Sequence, residues 1–283
     1  MKAPAFAYAR PSSLEETFEL LERHGEAARI LAGGQSLVPM LNLRLAAPQI
    51  LIDINAIVGL AGITLIDDSL RIGALTRHRD IERSPEIARH CPLFSLAAPH
   101  IAHVAIRNAG TLGGSLALAD PAAEWPACCL ALDATFRLLS ARGERRVPAR
   151  EFFKGLYATA IEPGELLVEV EIPLLPGHRS AFLELSRRRG DYAIAGVAAL
   201  ARKQDDALHD LRLAYLGAGP TPVLARAAMQ AGEGGACTPE AIVAVQKALA
   251  GDLSPLADVD NTPATKLHLA RVLTGRALAA LAA

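Results

Sequence analysis

The chain has 283 residues, 51% of them hydrophobic and 21% charged, with a formal net charge of −1 at pH 7. That length and apolar share give a globular protein with room for two domains, or one domain with distinct lobes. The near-neutral balance, with a pI near 6.7, argues against a nucleic-acid or anionic-membrane surface.

The opening residues Met1–Tyr8 lack the apolar stretch of a secretory leader, and no apolar run reaches the roughly 18 residues of a membrane span. No membrane insertion and a cytoplasmic location are therefore expected. Phe6 and Tyr8 read as a short strand, and Ser12-Ser13 precede a helix over Leu14–His24 with Leu14, Phe18 and Leu21 on one face. Arg29–Ala32 reads as a strand running into a glycine loop. Ser36 then stands where it can cap a helical run over Leu37–Arg44. Gln49–Ile54 is the next strand. This order suits a mononucleotide-binding unit, but G-x-G-x-x-G and G-x-x-x-x-G-K-[ST] are both absent.

Gly62–Ile66 and Leu70–Gly73 predict a hairpin, and Thr76 is placed to cap a helix near Arg77–Glu82. A short helix over Pro92–Ala98 follows. Pro121 and Pro126 fit first-turn positions, so a helix from about Glu124 to Leu132 starts irregularly. Thr135–Ser140 and Glu144–Val147 predict a second hairpin, whose Arg142, Arg145 and Arg146 read as a solvated cluster. Phe152–Gly155 reads as a loop and Glu165–Ile172 as a strand. After Pro173, Pro176 and Gly177 come three strands (Ala181–Arg187, Ala193–Ala201, Leu208–Gly217) and three helices (Val223–Gln230, Pro239–Ala250, Pro263–Ala282). Three strands and then three helices predict an antiparallel sheet covered on one face.

The stretches that carry chemistry are two. Ala32-Gly33-Gly34-Gln35-Ser36-Leu37 and Ala109-Gly110-Thr111-Leu112-Gly113-Gly114-Ser115 each join glycines to a hydroxyl and lead into an apolar run. Glycines let backbone N–H groups approach a ligand, and hydroxyls can turn to phosphate or ribityl oxygens. Tight structural turns explain either loop alone; the pair suggests one extended, phosphate-bearing ligand. The four cysteines, Cys91, Cys128, Cys129 and Cys237, include no C-x-x-C pair and read as buried thiols rather than ligands of a zinc ion or iron–sulfur cluster. His100 and His103 lack a metal-type spacing and read as structural. Asp53 is expected to bond backbone at a strand end, and Arg107-Asn108 to brace the turn before Gly110.

Three segments together carry a family resemblance: Ala32–Leu45 (AGGQSLVPMLNLRL), Ile106–Ser115 (IRNAGTLGGS) and Arg189–Val197 (RGDYAIAGV). In this order they resemble the FAD-binding medium subunits of molybdenum hydroxylases, such as carbon monoxide dehydrogenase and the xanthine dehydrogenase group, over essentially the whole chain. The resemblance implies an α+β chain with a two-lobed, vanillyl-alcohol-oxidase-like FAD-binding domain and a C-terminal α+β domain. We place the lobes at 1–57 and 58–176 and the C-terminal domain at 177–283. It also implies partner subunits, a small one with two iron–sulfur clusters and a large one with molybdopterin, in a dimer of heterotrimers.

By the same resemblance, Ala32, Gly33, Gly34, Gln35, Ser36 and Leu37 cradle the FAD pyrophosphate. Thr111, Gly113, Gly114 and Ser115 close over it from the other lobe. Ile101 and Ala102 flank the nucleotide, and Glu124 stands where many relatives have Asp. Leu167 lines the pocket, Tyr192 lies against the isoalloxazine, and Arg187 or Arg188 is the basic residue near the flavin. Glu124 also suits a plain first-turn acid, and Tyr192 a core position. The resemblance assigns this chain no catalytic side chain and no metal. A stand-alone FAD oxidoreductase and a non-catalytic nucleotide-binding assembly protein are the alternatives.

Overall fold

The computed structural model describes residues 2–283. Three principal sheets organise it. In the first, Ile50–Asp53 lies between Ala7–Ala9 and Ala28–Leu31, all parallel. The helix Leu14–His24 covers this sheet, with Leu14, Phe18 and Leu21 packed on the cluster that holds Ile50 and Ile52. Ser13 Oγ accepts the Glu16 N–H at 3.2 Å while Glu16 Oε2 accepts the Ser12 N–H at 2.9 Å, a reciprocal cap that sets the start of the helix.

The second sheet is antiparallel. Its strands run in the order Ile63–Ile66, Ser69–Gly73, Leu166–Pro173, Thr135–Ser140 and Gly143–Pro148. The strand latest in the chain is thus inserted between two hairpins. It alternates its side chains between two cores, Leu167 facing one and Leu166 and Val168 the other. Helices Pro92–Ala97, Leu112–Leu118 and Glu124–Ala131 pack on the Leu167 side around Trp125, Phe94, Phe136 and Phe152.

The third sheet contains His178–Ser186, Ala193–Gln204 and Ala207–Leu216, the three predicted antiparallel strands, and a two-residue fourth, Val223–Leu224. One face carries Val197, Ala199, Leu213 and Tyr215 against the C-terminal helices Arg226–Gly232, Pro239–Asp252 and Pro263–Ala282. The other face carries Phe182, Ala198, Leu200 and Leu216 into the core of the second sheet. Burial on both faces accounts for the alanine-rich run Ala193–Ala201, since small side chains let two layers close on one strand.

Several local readings change. Phe152–Gly155 is no loop: Ala149–Phe152 forms a helical turn, and Phe153–Gly155 pairs with Ala158–Thr159. The expected helix at Val223 begins only at Arg226, because Val223 and Leu224 extend the third sheet instead. Thr76 does not cap; its Oγ1 bonds both the N–H and the carbonyl of Gly62, at 2.9 and 3.0 Å. Ser36 makes no capping bond either. Helices also form where none was expected, at Pro85–His90, capped by Ser84, at Val104–Arg107, and at Leu112–Leu118, capped by Thr111. Cys91, Cys128 and Cys129 are buried, whereas Cys237 is only partly so.

Candidate cofactor site

The first glycine loop leaves the C-terminal end of the parallel strand Ala28–Leu31 and enters the helix Leu37–Asn42. Gly34 turns it at φ +68°, a left-handed conformation that side chains rarely adopt. Among the described residues, the N–H groups of Gly33, Gly34, Gln35 and Ser36 have no protein acceptor. Gln35 Nε2 donates to the Gly33 carbonyl at 3.0 Å, and the Ser36 hydroxyl, relieved of capping, is uncommitted. The loop therefore presents a run of unpaired backbone donors, a feature that suits an anion.

The second loop is more self-satisfied. Thr111 is buried, and its Oγ1 accepts the Gly114 N–H at 3.1 Å. Gly113 points inward, its N–H on the Ala74 carbonyl at 2.8 Å. Gly114 and Ser115 remain on the open side.

The two loops touch through their backbones. A Cβ on Gly33 would stand 2.5 Å from the Ala109 carbonyl oxygen and 2.7 Å from Gly110 Cα, so only glycine permits this approach. A polar chain locks it. Tyr8 OH donates to Asp53, whose Oδ1 accepts the Asn55 N–H at 2.9 Å. Asn55 Nδ2 donates to the Ala32 carbonyl at 2.8 Å, and Asn55 Oδ1 accepts from Arg77 Nη2 at 2.6 Å. Arg77 Nη1 in turn donates to the Ala109 carbonyl. Burial pushes the Asp53 carboxyl up, but the bonds from Tyr8 and Asn55 outweigh it and hold the group below its ordinary value.

Behind the second loop, the His78 N–H donates to the Gly110 carbonyl at 3.0 Å, and His78 Nδ1 accepts from Trp125 Nε1 at 3.0 Å. Burial, with the charges of Arg107 and Arg77, lowers His78 to about 4, so it is neutral. Arg107 forks onto Glu82, with Nε–Oε2 at 2.8 Å, and its Nη1 donates to the carbonyls of Ile101 and Ala102 at 3.1 and 2.9 Å. Arg107 thus holds the backbone at Ile101-Ala102 rather than the turn before Gly110 that the sequence suggested.

The other predicted residues separate. Glu124 is buried at the start of its helix; burial first, then the charges of Glu184 and Asp120, raise it to about 8. Leu167 lies within the core. Tyr192 is 73% exposed. Arg187 is exposed and paired with Asp260, while His100 Nδ1 lies 3.4 Å from Glu184 Oε1. Reading the sequence missed Asn55, Arg77 and His78. Their one visible signal was polar residues within five positions of the ends of the strands that close at Asp53 and Gly73.

Open loop donors, a free serine hydroxyl and a backbone junction that a Cβ would fill all suit the phosphates of a dinucleotide, and FAD fits them. Fold and site together define a flavin-nucleotide-binding chain. Residues 4–175 match the family described as the FAD binding domain in molybdopterin dehydrogenase, and residues 180–281 match the CO dehydrogenase flavoprotein C-terminal domain. The 6-hydroxypseudooxynicotine dehydrogenase complex subunit alpha of Paenarthrobacter nicotinovorans is 42% identical over 281 residues, 99% of this chain and 95% of that protein. The nicotine 6-hydroxylase medium subunit of the same organism is 37% identical over 278 residues, 98% of each. A solved carbon monoxide dehydrogenase from Hydrogenophaga pseudoflava, lacking the Mo-pyranopterin moiety of its cofactor, superposes with a TM-score of 0.97 at 39% identity, covering 99% of this chain and 98% of that one. The chain belongs to the FAD-binding medium subunits of the molybdenum-containing hydroxylases and dehydrogenases. It is the flavin subunit of an oxidoreductase of that class, and among the described residues no helix is long and apolar enough to cross a membrane.

Proposed function

We propose that this subunit relays electrons from iron–sulfur clusters on a small partner subunit to an external acceptor. Substrate is hydroxylated at molybdopterin on a large partner subunit, in a cytoplasmic dimer of heterotrimers. Bound FAD supplies the redox chemistry; the chain supplies binding, orientation and electrostatics. The N–H groups of Gly33, Gly34, Gln35 and Ser36 and the Ser36 hydroxyl hold the pyrophosphate, with Ala32 and Leu37 shaping the loop ends. Gly114 and Ser115 close from the other side, on a backbone shaped by Thr111 and Gly113. Ile101 and Ala102, held by Arg107, flank the nucleotide. Tyr192 covers the ring, Leu167 backs the pocket from the core, Glu124 tunes the charge nearby, and Arg187 lies at its edge. The lobes at 1–57 and 58–176 enclose the cofactor, and 177–283 carries Tyr192 to it.

The observation that carries this reading is the backbone contact of Gly33 with Ala109 and Gly110 beneath four open N–H groups. The test is a visible spectrum of the purified chain, followed by acid release. Flavin absorbance with releasable FAD, and co-purification of two partner subunits, is expected. Colour that stays with the precipitated protein, or a colourless chain that refuses FAD, contradicts it.

A further inference from the structure

Tyr157 holds a conformation its residue type disfavours. It lies in the turn between Phe153–Gly155 and Ala158–Thr159, at φ +54°. Tight hairpin turns of this kind favour Gly, Asn or Asp, and a bulky side chain in the left-handed region is an outlier. The ring gains little burial in return, since Tyr157 is 56% exposed. Strain held without a packing reward points to a function.

Its hydroxyl reaches Asp120 Oδ2 at 3.4 Å. Asp120 is itself fixed, because its Oδ1 accepts the Ala122 N–H at 2.9 Å. Burial first, and then the charge of Asp120, raise the Tyr157 phenol and that of Tyr192 alike, and each tyrosine is more than half exposed. Two tyrosines from separate segments thus feel one carboxylate, and Tyr157 is the one that bonds it. That carboxylate follows Leu112–Leu118, a seven-residue helix begun by the second glycine loop. A helix of that length spans about 10 Å, comparable with the reach from a pyrophosphate across a ribityl chain to a flavin ring.

We propose that Tyr157 is a second tyrosine of the flavin site, a positioning residue that confines the isoalloxazine together with Tyr192 and Asp120. The proposal rests on Tyr192 lying at the flavin ring.

The test uses the full chain with Tyr157→Asn, Tyr157→Phe and Tyr192→Ala. It reads the melting temperature without flavin, FAD affinity and the fluorescence yield of bound FAD. Asn tolerates positive φ, so Tyr157→Asn is expected to melt at least as high as the wild type. Loss of one aromatic contact should weaken FAD about tenfold, and the bound flavin should fluoresce more brightly. Tyr157→Phe keeps the ring and should stay within about threefold of the wild type, because only a long hydrogen bond is lost. A Tyr157→Asn chain with unchanged affinity and fluorescence overturns the proposal. If Tyr192→Ala alone changes them, the inference on Tyr157 fails by itself; if neither variant does, the placement of Tyr192 falls with it.

Discussion

Asn55 Oδ1 lies 2.6 Å from Arg77 Nη2, and through this pair the first glycine loop is bound to the second. Asn55 holds the Ala32 carbonyl on one side, and Arg77 holds the Ala109 carbonyl on the other. Neither side chain need touch a cofactor to matter. The two loops come from separate parts of the chain, and the open donors of the first are useful only while the second stays against it.

Truncating either partner should therefore weaken FAD binding at a distance. Asn55→Ala leaves Arg77 Nη2 and the Ala32 carbonyl without partners, a loss of about 1–3 kcal/mol per half-buried group, while Arg77 Nη1 keeps the Ala109 carbonyl. The expected result is a 10- to 100-fold weaker FAD dissociation constant by fluorimetric titration, at about 1.4 kcal/mol per decade. Arg77→Lys should fail similarly, since an ammonium cannot span both acceptors as a planar fork does. Affinity within twofold of wild type in both variants would contradict the locking role.

The buried pair Glu124 and His78 predicts an unusual stability profile. Glu124 is raised from 4.5 to about 8, so the folded chain keeps a proton that the unfolded chain loses. Its contribution therefore falls as pH rises from about 4.5 to 8. His78 is lowered from 6.5 to about 4, so its contribution rises with pH between about 4 and 6.5. The two oppose each other from 4.5 to 6.5, and Glu124 acts alone from 6.5 to 8. Each slope is at most about 1.4 kcal/mol per pH unit. Glu124→Gln should remove the decline above pH 6.5 and expose a rise below it. Denaturant melts across this range check both signs, and an unchanged decline in Glu124→Gln would refute the assignment.

Trp125→Phe removes the only donor to His78 Nδ1 among the described residues. A buried acceptor left alone costs about 1–3 kcal/mol. The single variant should melt several degrees lower, and adding His78→Phe should cost less than the sum of the two, because one interaction links them. Strict additivity in a double-mutant cycle would argue that the indole–imidazole bond does not stabilise the loop.

Local signals carried much of the fold. Ser13 and Gly25 bound the helix Leu14–His24, and Thr262 with Pro263 starts the helix Pro263–Ala282. Such caps act within a few residues. Hydroxyls were harder to place. Ser36 stands at a capping position and Thr76 one residue before one, but Thr76 bonds Gly62 instead, and Ser36 is left toward the open loop. Pairings between distant segments were invisible. Nothing local puts Leu166–Pro173 between two hairpins or brings Gly33 onto Gly110. Both glycine loops could be read singly; their brace of Asn55 and Arg77 could not, because it exists only across that contact. Tyr157 was missed because its strands are three and two residues long, too short to show alternation.

The most direct measurement is an FAD titration of the wild-type chain beside Gly33→Ala and Gly143→Ala. Gly143, at φ +127° with open space around it, reports backbone strain away from the loops. Gly33 is the residue whose Cβ would meet the Ala109 carbonyl at 2.5 Å. One releasable FAD per wild-type chain is expected, retained in Gly143→Ala. A folded Gly33→Ala chain should lose affinity tenfold or more, since parting the loops costs upward of about 1.4 kcal/mol. FAD bound by Gly33→Ala as tightly as by the wild type would contradict the claim that the cofactor is held where the two glycine loops meet.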